Sequence, residues 1–232
     1  MERIQTIARH DGPRCEVVLR RRVGNERNAE ELIINGVFAM DSSETSTERL
    51  LADLAVPSGR AQRVLVGGLG LGYTVAAIAA KDVDAVDVVE IERCLIDWAY
   101  QGITATLAAA ASNPRVRLHA GDIRLVLEGA SEGMVGPWDA IVLDIDNGPD
   151  FLIHQRNRAL YLEAALQAAY AQLAPRGTLA IWCQRSAPPL LAVLKRIAAC
   201  TQEHIVEVRR GERSLQYAIY TLSRPKDFFG FG

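Results

Sequence analysis

Long apolar runs are missing from this chain. No stretch reaches the roughly 18 uncharged apolar residues that a bilayer span requires, and Met1–Gly12 is too polar for a signal peptide. The expectation is a cytoplasmic protein with no membrane partner. An excess of charge of either sign is also missing. The 26 lysines and arginines nearly balance the 28 aspartates and glutamates, for a formal net charge of -2, so bulk electrostatics give no reason to expect nucleic acid as a partner. Cysteine is sparse. Cys15, Cys94, Cys183 and Cys200 form no C-x-x-C pair, and the four histidines do not complete a metal-ligand spacing with them; free, mostly buried thiols and no metal are expected. Internal repeats and low-complexity segments are absent as well. What remains, 232 residues of which 49% are hydrophobic and 23% charged, is the composition of an ordinary soluble globular protein, long enough for one sizeable core.

The chain opens with strand-like residues in "CEVVLRRR" and "ELIINGVFAM". Asn35-Gly36 inside the second run is a strong hairpin signal, so a small β unit is expected there. "SSETSTERLLADLAV" follows as a helix with Ser and Thr available as caps and an apolar stripe of Leu50, Leu51 and Leu54. From Arg63 strands alternate with helices. The strands are Val64–Val66, Ala85–Ile91, Val116–His119, Ala140–Asp144 and Thr178–Cys183; between and after them come helical runs such as "YTVAAIAAK", "RCLIDWAYQGI", "YLEAALQAAYAQLA" and "PPLLAVLKRIAAC". Short, nearly continuous apolar strands of this kind predict a parallel sheet covered on both faces. The end differs, because "HIVEVRR", Gly211 and "LQYAIYTLS" predict an antiparallel pair at a sheet edge. "AVPSGRAQ" supplies the boundary: residues 1–57 form a small β-hairpin unit with a linking helix, and residues 58–232 an α/β domain. Arg20 to Arg22 and Arg209-Arg210 are expected as solvated strand ends.

The first strand of that domain ends in four glycines, in "RVLVGGLGLGYTVAAIAA". A phosphate loop would need lysine and a hydroxyl after its last glycine, but Gly72 is followed by Tyr73 and Thr74. A dinucleotide turn would need G-x-G-x-x-G, and the spacing Gly68-x-Gly70-x-Gly72 brings the third glycine one residue early. An adenosyl group without phosphate remains, laid over glycines that admit the ligand close to the backbone. The plain alternative is a tight turn that holds nothing.

Three carboxylates accompany the turn. Glu90 ends the next strand, where an acidic residue can accept from both hydroxyls of a ribose; Glu92 lies beyond it. Asp122 follows the third strand, and Asp144 ends the fourth. In open α/β sheets ligands sit outside the carboxyl ends of the strands, so all three point into one crevice. Their structural alternatives are a solvated strand end for Glu90, a helix N-cap for Asp122 and a buried structural carboxylate for Asp144.

These residues resemble a known pattern, that of the S-adenosylmethionine-dependent transferases with the Rossmann-like methyltransferase fold, and within them the spermidine synthase (polyamine aminopropyltransferase) family. The resemblance runs from about Glu31 to Cys183. It is carried by "GGLGLG" for a GGGDGG-like turn, "VVEIE" for V-E-I-D, "NPRVRLHAGDIRLVLE" for P-R-V-x-x-x-x-G-D-G-R-x-F-L, and "WDAIVLDIDNGP" for Y-D-V-I-x-x-D-S-x-D-P. It implies a mostly parallel sheet with helices on both faces behind a small N-terminal β unit. It further implies S-adenosylmethionine or its decarboxylated form as co-substrate, a small amine as acceptor, and a homodimer. By the same resemblance Glu90 holds the ribose, Asp122 the adenine amino group, and Gly68 to Gly72, with Gly70 between, the tail of the donor. Ile91 and Ile123 stand beside those carboxylates in the donor-binding set, and Asp144 meets the acceptor amine.

Chemistry agrees with that last role. An alkyl amine is almost fully protonated at neutral pH, and a carboxylate can anchor the ammonium and take its proton as attack begins. Departures fall mainly on the acceptor side. The family's Tyr-Gln pair corresponds to Thr47-Glu48, its turn aspartate to Gly70, and its second aspartate to the shifted Asp146. "DNGPDFLIHQRNRALY" is expected to cover the crevice, with His154, Arg156, Asn157, Arg158 and Tyr161 as readers of the acceptor or, alternatively, as a charged surface loop. The functional expectation is transfer of an aminopropyl or methyl group from an adenosyl sulfonium to an amine. The alternatives are a small-molecule methyltransferase without polyamine activity, a non-catalytic adenosyl-binding scaffold, and a nicotinamide dehydrogenase. Gly70 leans slightly toward intact S-adenosylmethionine.

Overall fold

The structure is a computed structural model that describes residues 3–24, 28–57, 60–131, 133–210 and 213–226. The amino-terminal part is a four-stranded antiparallel sheet of β1 (Arg3–Asp11), β2 (Glu16–Val23), β3 (Ala29–Ile34) and β4 (Val37–Asp41). The hairpin expected at Asn35-Gly36 joins β3 to β4, with both residues at positive φ (52° and 73°) as a two-residue primed turn demands. Strand β1 carries no apolar alternation because it is mostly exposed, so nothing in its pattern announces it. The buried Glu31 carboxylate accepts from Arg20 (2.6 Å) and Arg22 (2.8 Å) across the β2–β3 ladder. Arg20 and Arg22 are thus cross-strand partners.

Helix α1 (Ser46–Ala55) follows. Its expected hydroxyl cap is not made: the Thr45 side chain accepts from Arg49 (2.7 Å), and the Ser46 N–H donates to the Glu44 carboxylate (2.7 Å). Acidic capping serves the same orphan donors.

The second sheet has seven strands: β5 (Arg60–Gly67), β6 (Asp82–Glu90), β7 (Val116–Ala120), β8 (Trp138–Leu143), β9 (Leu173–Cys183), β10 (Gln202–Arg210) and β11 (Arg213–Ser223), in the order β10-β11-β9-β8-β5-β6-β7. Strands β5 to β9 are parallel. Strand β11 runs antiparallel between β9 and β10, which leaves β10 at the edge. Gly211, expected at their turn, and Ser58-Gly59, at the expected domain boundary, lie outside the described residues.

Alternate residues of each central strand feed two cores. Val64, Val66, Ala140 and Val142 face α1, α2 (Tyr73–Ala79), α3 (Arg93–Gln101) and α4 (Ala105–Ser112), together with Val17, Leu19 and Leu32 of the first sheet. Leu65, Ile141 and Leu143 face α5 (Ile123–Leu127), α6 (Glu163–Ala171) and α7 (Pro188–Ile197). Burial on both faces explains why the inner stretches of these strands are mostly apolar. The architecture is an α/β Rossmann-like methyltransferase fold preceded by a small antiparallel β unit. Among the described residues no helix is long and apolar enough to cross a membrane.

Candidate functional site

Strand order changes direction at β5, which has β6 on one side and β8 on the other. A crevice opens at such a switch point, outside the carboxyl ends of the strands. Four adjacent strand ends, β8, β5, β6 and β7, deliver Asp144, Gly68, Glu90 and Asp122 to its rim. At about 4.8 Å per strand these span about 14 Å, room for a nucleoside with a short tail.

The glycine turn is built against its own chain. Asp144 N–H donates to Gly67 O (3.0 Å), and a Cβ on Gly68, at φ +94°, would stand 2.1 Å from the Asp144 carbonyl oxygen. Gly68 is therefore what allows β5 and β8 to end in contact. A Cβ on Gly70 would lie 2.7 Å from Met40 Sδ, a sulfur that also accepts from Leu71 N–H (3.3 Å). The closeness that the sequence reserved for a ligand is thus shared with Asp144 and Met40.

Glu90 is buried at the end of β6. Its two oxygens accept from Leu69 N–H (2.7 Å) and Glu92 N–H (2.8 Å), which ties the glycine turn to the β6–α3 junction. Burial pushes this carboxyl above its usual range, Glu92 repels it further, and the N–H donors partly offset the rise. Gly70 N–H also bonds this carboxylate, so of its about four lone-pair sites only limited capacity remains for a ligand. Asp122 is the N-cap of α5, accepting from Arg124 N–H (2.9 Å); it caps and lines the crevice at once. Asp144, just past β8, accepts from the Thr74 hydroxyl (2.6 Å). Burial raises its carboxyl and the Thr74 bond works the other way. Thr74→Val is therefore expected to raise the Asp144 carboxyl further, because the ionised form loses a donor; an Asp144 titration unmoved by the substitution would show that the Thr74 bond does not stabilise the charge.

Asp146 is 4% exposed. Its Oδ1 accepts from Ile153 N–H (2.8 Å) and His154 N–H (3.4 Å), so it holds the segment that leads into a 3-10 helix, Gln155–Tyr161. Burial raises this carboxyl too. On the opposite side, α1 supplies Thr47 and Glu48, buried and joined by a Thr47 O–H to Glu48 bond (2.8 Å).

These groups, Thr74 aside, line one open cavity whose empty space, with the adjoining solvent included, is about 1200 Å³. Of the residues expected from sequence, Gly68, Gly70, Glu90, Ile91, Asp122, Ile123, Asp144, Asp146, Thr47 and Glu48 line it, as do His154 and Asn157. Two do not. Gly72 is the N-cap of α2, at φ +86°, and Tyr161 is buried in the core cluster with Leu143, Leu160 and Cys183. Arg156 and Arg158 are exposed away from the lining.

Sequence reasoning missed Glu44, Met40, Trp182, Gln184 and Tyr217, all of which line the cavity. Trp182 and Gln184 sit at the carboxyl end of β9, a position the strand-end rule marks. Met40 and Tyr217 arrive from the first sheet and from β11, where no such rule applies. The Trp182 and Tyr217 rings pack with centroids 5.4 Å apart.

Six carboxylates line the cavity: Glu44, Glu48, Glu90, Asp122, Asp144 and Asp146. No lysine or arginine does so among the described residues. Trp182 Nε1 is buried there without a hydrogen-bond partner among the described residues, and Asp146 Oδ2 and Asn157 Nδ2 have none beyond their contact with each other. Each such group carries a cost of about 1–3 kcal/mol, which a ligand that pairs with it removes. The arrangement suits cationic ligands with polar edges.

No family model matches the chain, and no curated protein matches it in sequence. Solved structures do. A spermidine synthase in complex with the transition-state analogue AdoDATO superposes with a TM-score of 0.77 at 15% identity, covering 96% of this chain and 75% of that one. Spermidine synthase from Thermotoga maritima gives 0.75 at 14% identity, covering 96% and 73%. The chain has the spermidine synthase-like fold.

Proposed function

We propose that the protein transfers an alkyl group, aminopropyl or methyl, from an S-adenosyl sulfonium donor to a small amine. The observation that carries this reading is the cavity's charge: six carboxylates from separate elements, with no lysine or arginine on the described wall. A sulfonium and an ammonium are the ligands such a wall stabilises. Buried carboxylates elsewhere have arginine partners, as Glu31 has Arg20 and Arg22, and Asp87 has Arg117.

In this reading Glu90 takes the ribose hydroxyls, Asp122 the adenine edge, and the glycine turn the donor tail. The amine nitrogen attacks the carbon bound to sulfur. The carbon–sulfur bond breaks with its electron pair on sulfur, leaving a neutral thioether nucleoside. Asp144 takes the proton whose loss frees the amine's lone pair for attack, and the alkylated product leaves as an ammonium. Because the sulfonium is already a good leaving group, alignment supplies most of the remaining rate.

The donor follows from charge as well. Intact S-adenosylmethionine brings a carboxylate into a wall of carboxylates, whereas the decarboxylated form brings only an ammonium. One observation favours the intact donor: Gly70, under the Met40 thioether, contributes no carboxylate to the tail. Calorimetry against S-adenosylmethionine, its decarboxylated form and methylthioadenosine separates the two, and product mass spectrometry with a panel of diamines tests transfer. Binding of the decarboxylated form at least about 10-fold tighter, about 1.4 kcal/mol, is expected. Binding of none of the three would end the proposal, and donor binding without transfer to any amine would favour a scaffold.

A further inference from the structure

Beside the cavity, three side chains from distant parts of the chain converge: Cys15 at the entry to β2, Glu92 at the N-cap of α3, and His154 before the 3-10 helix. Their sulfur, oxygen and nitrogen atoms all lie within 4.8 Å of one another. We propose that Cys15, Glu92 and His154 bind a divalent transition ion of the zinc class, which fastens the segment covering the cavity to the amino-terminal sheet.

The Cys15 thiol is within hydrogen-bond reach of the Glu92 carboxylate, but the third donor, on His154, is placed for an ion rather than for Glu92. His154 Nε2 stands 3.7 Å from Glu92 Oε1, too far for a hydrogen bond. Two ligands with 2.0–2.1 Å bonds at a tetrahedral centre lie about 3.3 Å apart, so small side-chain adjustments close the site. Glu92 is 5% exposed, yet its Oε1 has no hydrogen-bond partner among the described residues, and the same holds for His154 Nε2. A buried carboxylate oxygen and a buried imidazole nitrogen left in this state both point at something between them.

The ligand chemistry selects the ion. A thiolate with an imidazole and one carboxylate is a set for zinc or its neighbours, and not for magnesium or calcium. Three protein ligands leave a fourth position for water. Charge also closes, since thiolate, carboxylate and neutral imidazole carry -2 against the ion's +2. The supports lie in place. Asp146 fixes the backbone of Ile153 and His154, and a hollow lined by His10, Gly12, Pro13, Arg14 and Arg93 reaches Glu92. Arg14 Nε, 3.7 Å from Glu92 Oε1, is the competitor; its side chain is 53% exposed, and its guanidinium also donates to Ile91 O (2.7 Å). No spacing in the chain signals this site, because its ligands come from three separate segments.

A free cysteine is a thiol at neutral pH, and an ion that takes it as thiolate releases its proton to the buffer. The test uses the full chain, stripped with a chelator and titrated with Co²⁺, then Zn²⁺. One equivalent of Co²⁺ should bind with a sulfur-to-metal charge-transfer absorption that Zn²⁺ abolishes, with one proton released as read from calorimetry in two buffers. Cys15→Ser should lose that absorption, His154→Gln and Glu92→Gln should weaken binding at least about 100-fold, and Cys200→Ser, at the exposed cysteine, should change nothing. His154→Gln lies in a covering segment, so it keeps the test informative if the buried Cys15 variant does not fold. A Co²⁺ spectrum without the sulfur band, or an affinity indifferent to His154→Gln, overturns the proposal. Neither result bears on donor binding, which is measured without metal.

Discussion

Replacing Asp144 with asparagine is expected to lower turnover at least about 100-fold, the lower range for lost acid–base assistance, with donor affinity nearly intact. Asparagine keeps an oxygen that can accept the Thr74 hydroxyl, now at 2.6 Å, so the strand end and the turn beneath it hold their shape. What disappears is the charge that anchors an ammonium and the base that takes its proton. The same substitution should leave thermal stability unchanged or raise it near neutral pH. Burial lifts the Asp144 carboxyl in the folded protein. A carboxyl raised on folding contributes stability below its unfolded value, and that contribution is lost as pH rises through the folded value. Ionised Asp144 is therefore a cost to the fold that asparagine removes. Wild-type turnover should fall as pH drops through the raised Asp144 value. An Asp144→Asn protein with full activity would take this residue out of the mechanism, whatever its melting temperature.

The large features were legible because they follow from short-range physics. Two-sided burial made the inner stretches of β5, β6 and β8 mostly apolar, and the strand-end rule then placed Glu90, Asp122 and Asp144 around one crevice from the sequence alone. Asn35-Gly36 marked its hairpin because only that backbone geometry closes a two-residue loop cleanly. The failures have physical causes of the same kind. Strand β1 is mostly exposed, so it has no buried face to print a period on the sequence. Tyr161 sits in the covering segment as expected, but a 3-10 helix turns it into the core, and side-chain direction within an irregular segment is not a property of the sequence pattern. Met40 reaches the glycine turn from a different sheet, a contact set by how the two sheets pack.

Glu90 should show the opposite signature to Asp144. Its carboxylate holds Leu69 N–H and Glu92 N–H and, in the proposed reading, the ribose hydroxyls. Removing a charged acceptor from such bonds costs roughly 1.5–3 kcal/mol, so Glu90→Ala is expected to weaken donor binding by about 10- to 150-fold, with turnover at saturating donor much less affected. The two N–H groups left behind also make the alanine protein less stable, by about 1–3 kcal/mol for each donor that finds no partner. Glu90→Gln separates the two effects. Its amide oxygen still accepts one N–H and its neutral end still reaches a hydroxyl, so it should fall between wild type and alanine in affinity while melting closer to wild type. Calorimetry with methylthioadenosine, which carries the ribose but no charged tail, reads the loss without interference from the rest of the acidic wall. If both variants bind that nucleoside as tightly as wild type does, the ribose lies elsewhere and Glu90 is only the clasp of the glycine turn. If affinity falls for Glu90 variants while turnover falls for Asp144→Asn, the strand ends divide the work, with β6 gripping the donor and β8 handling the proton.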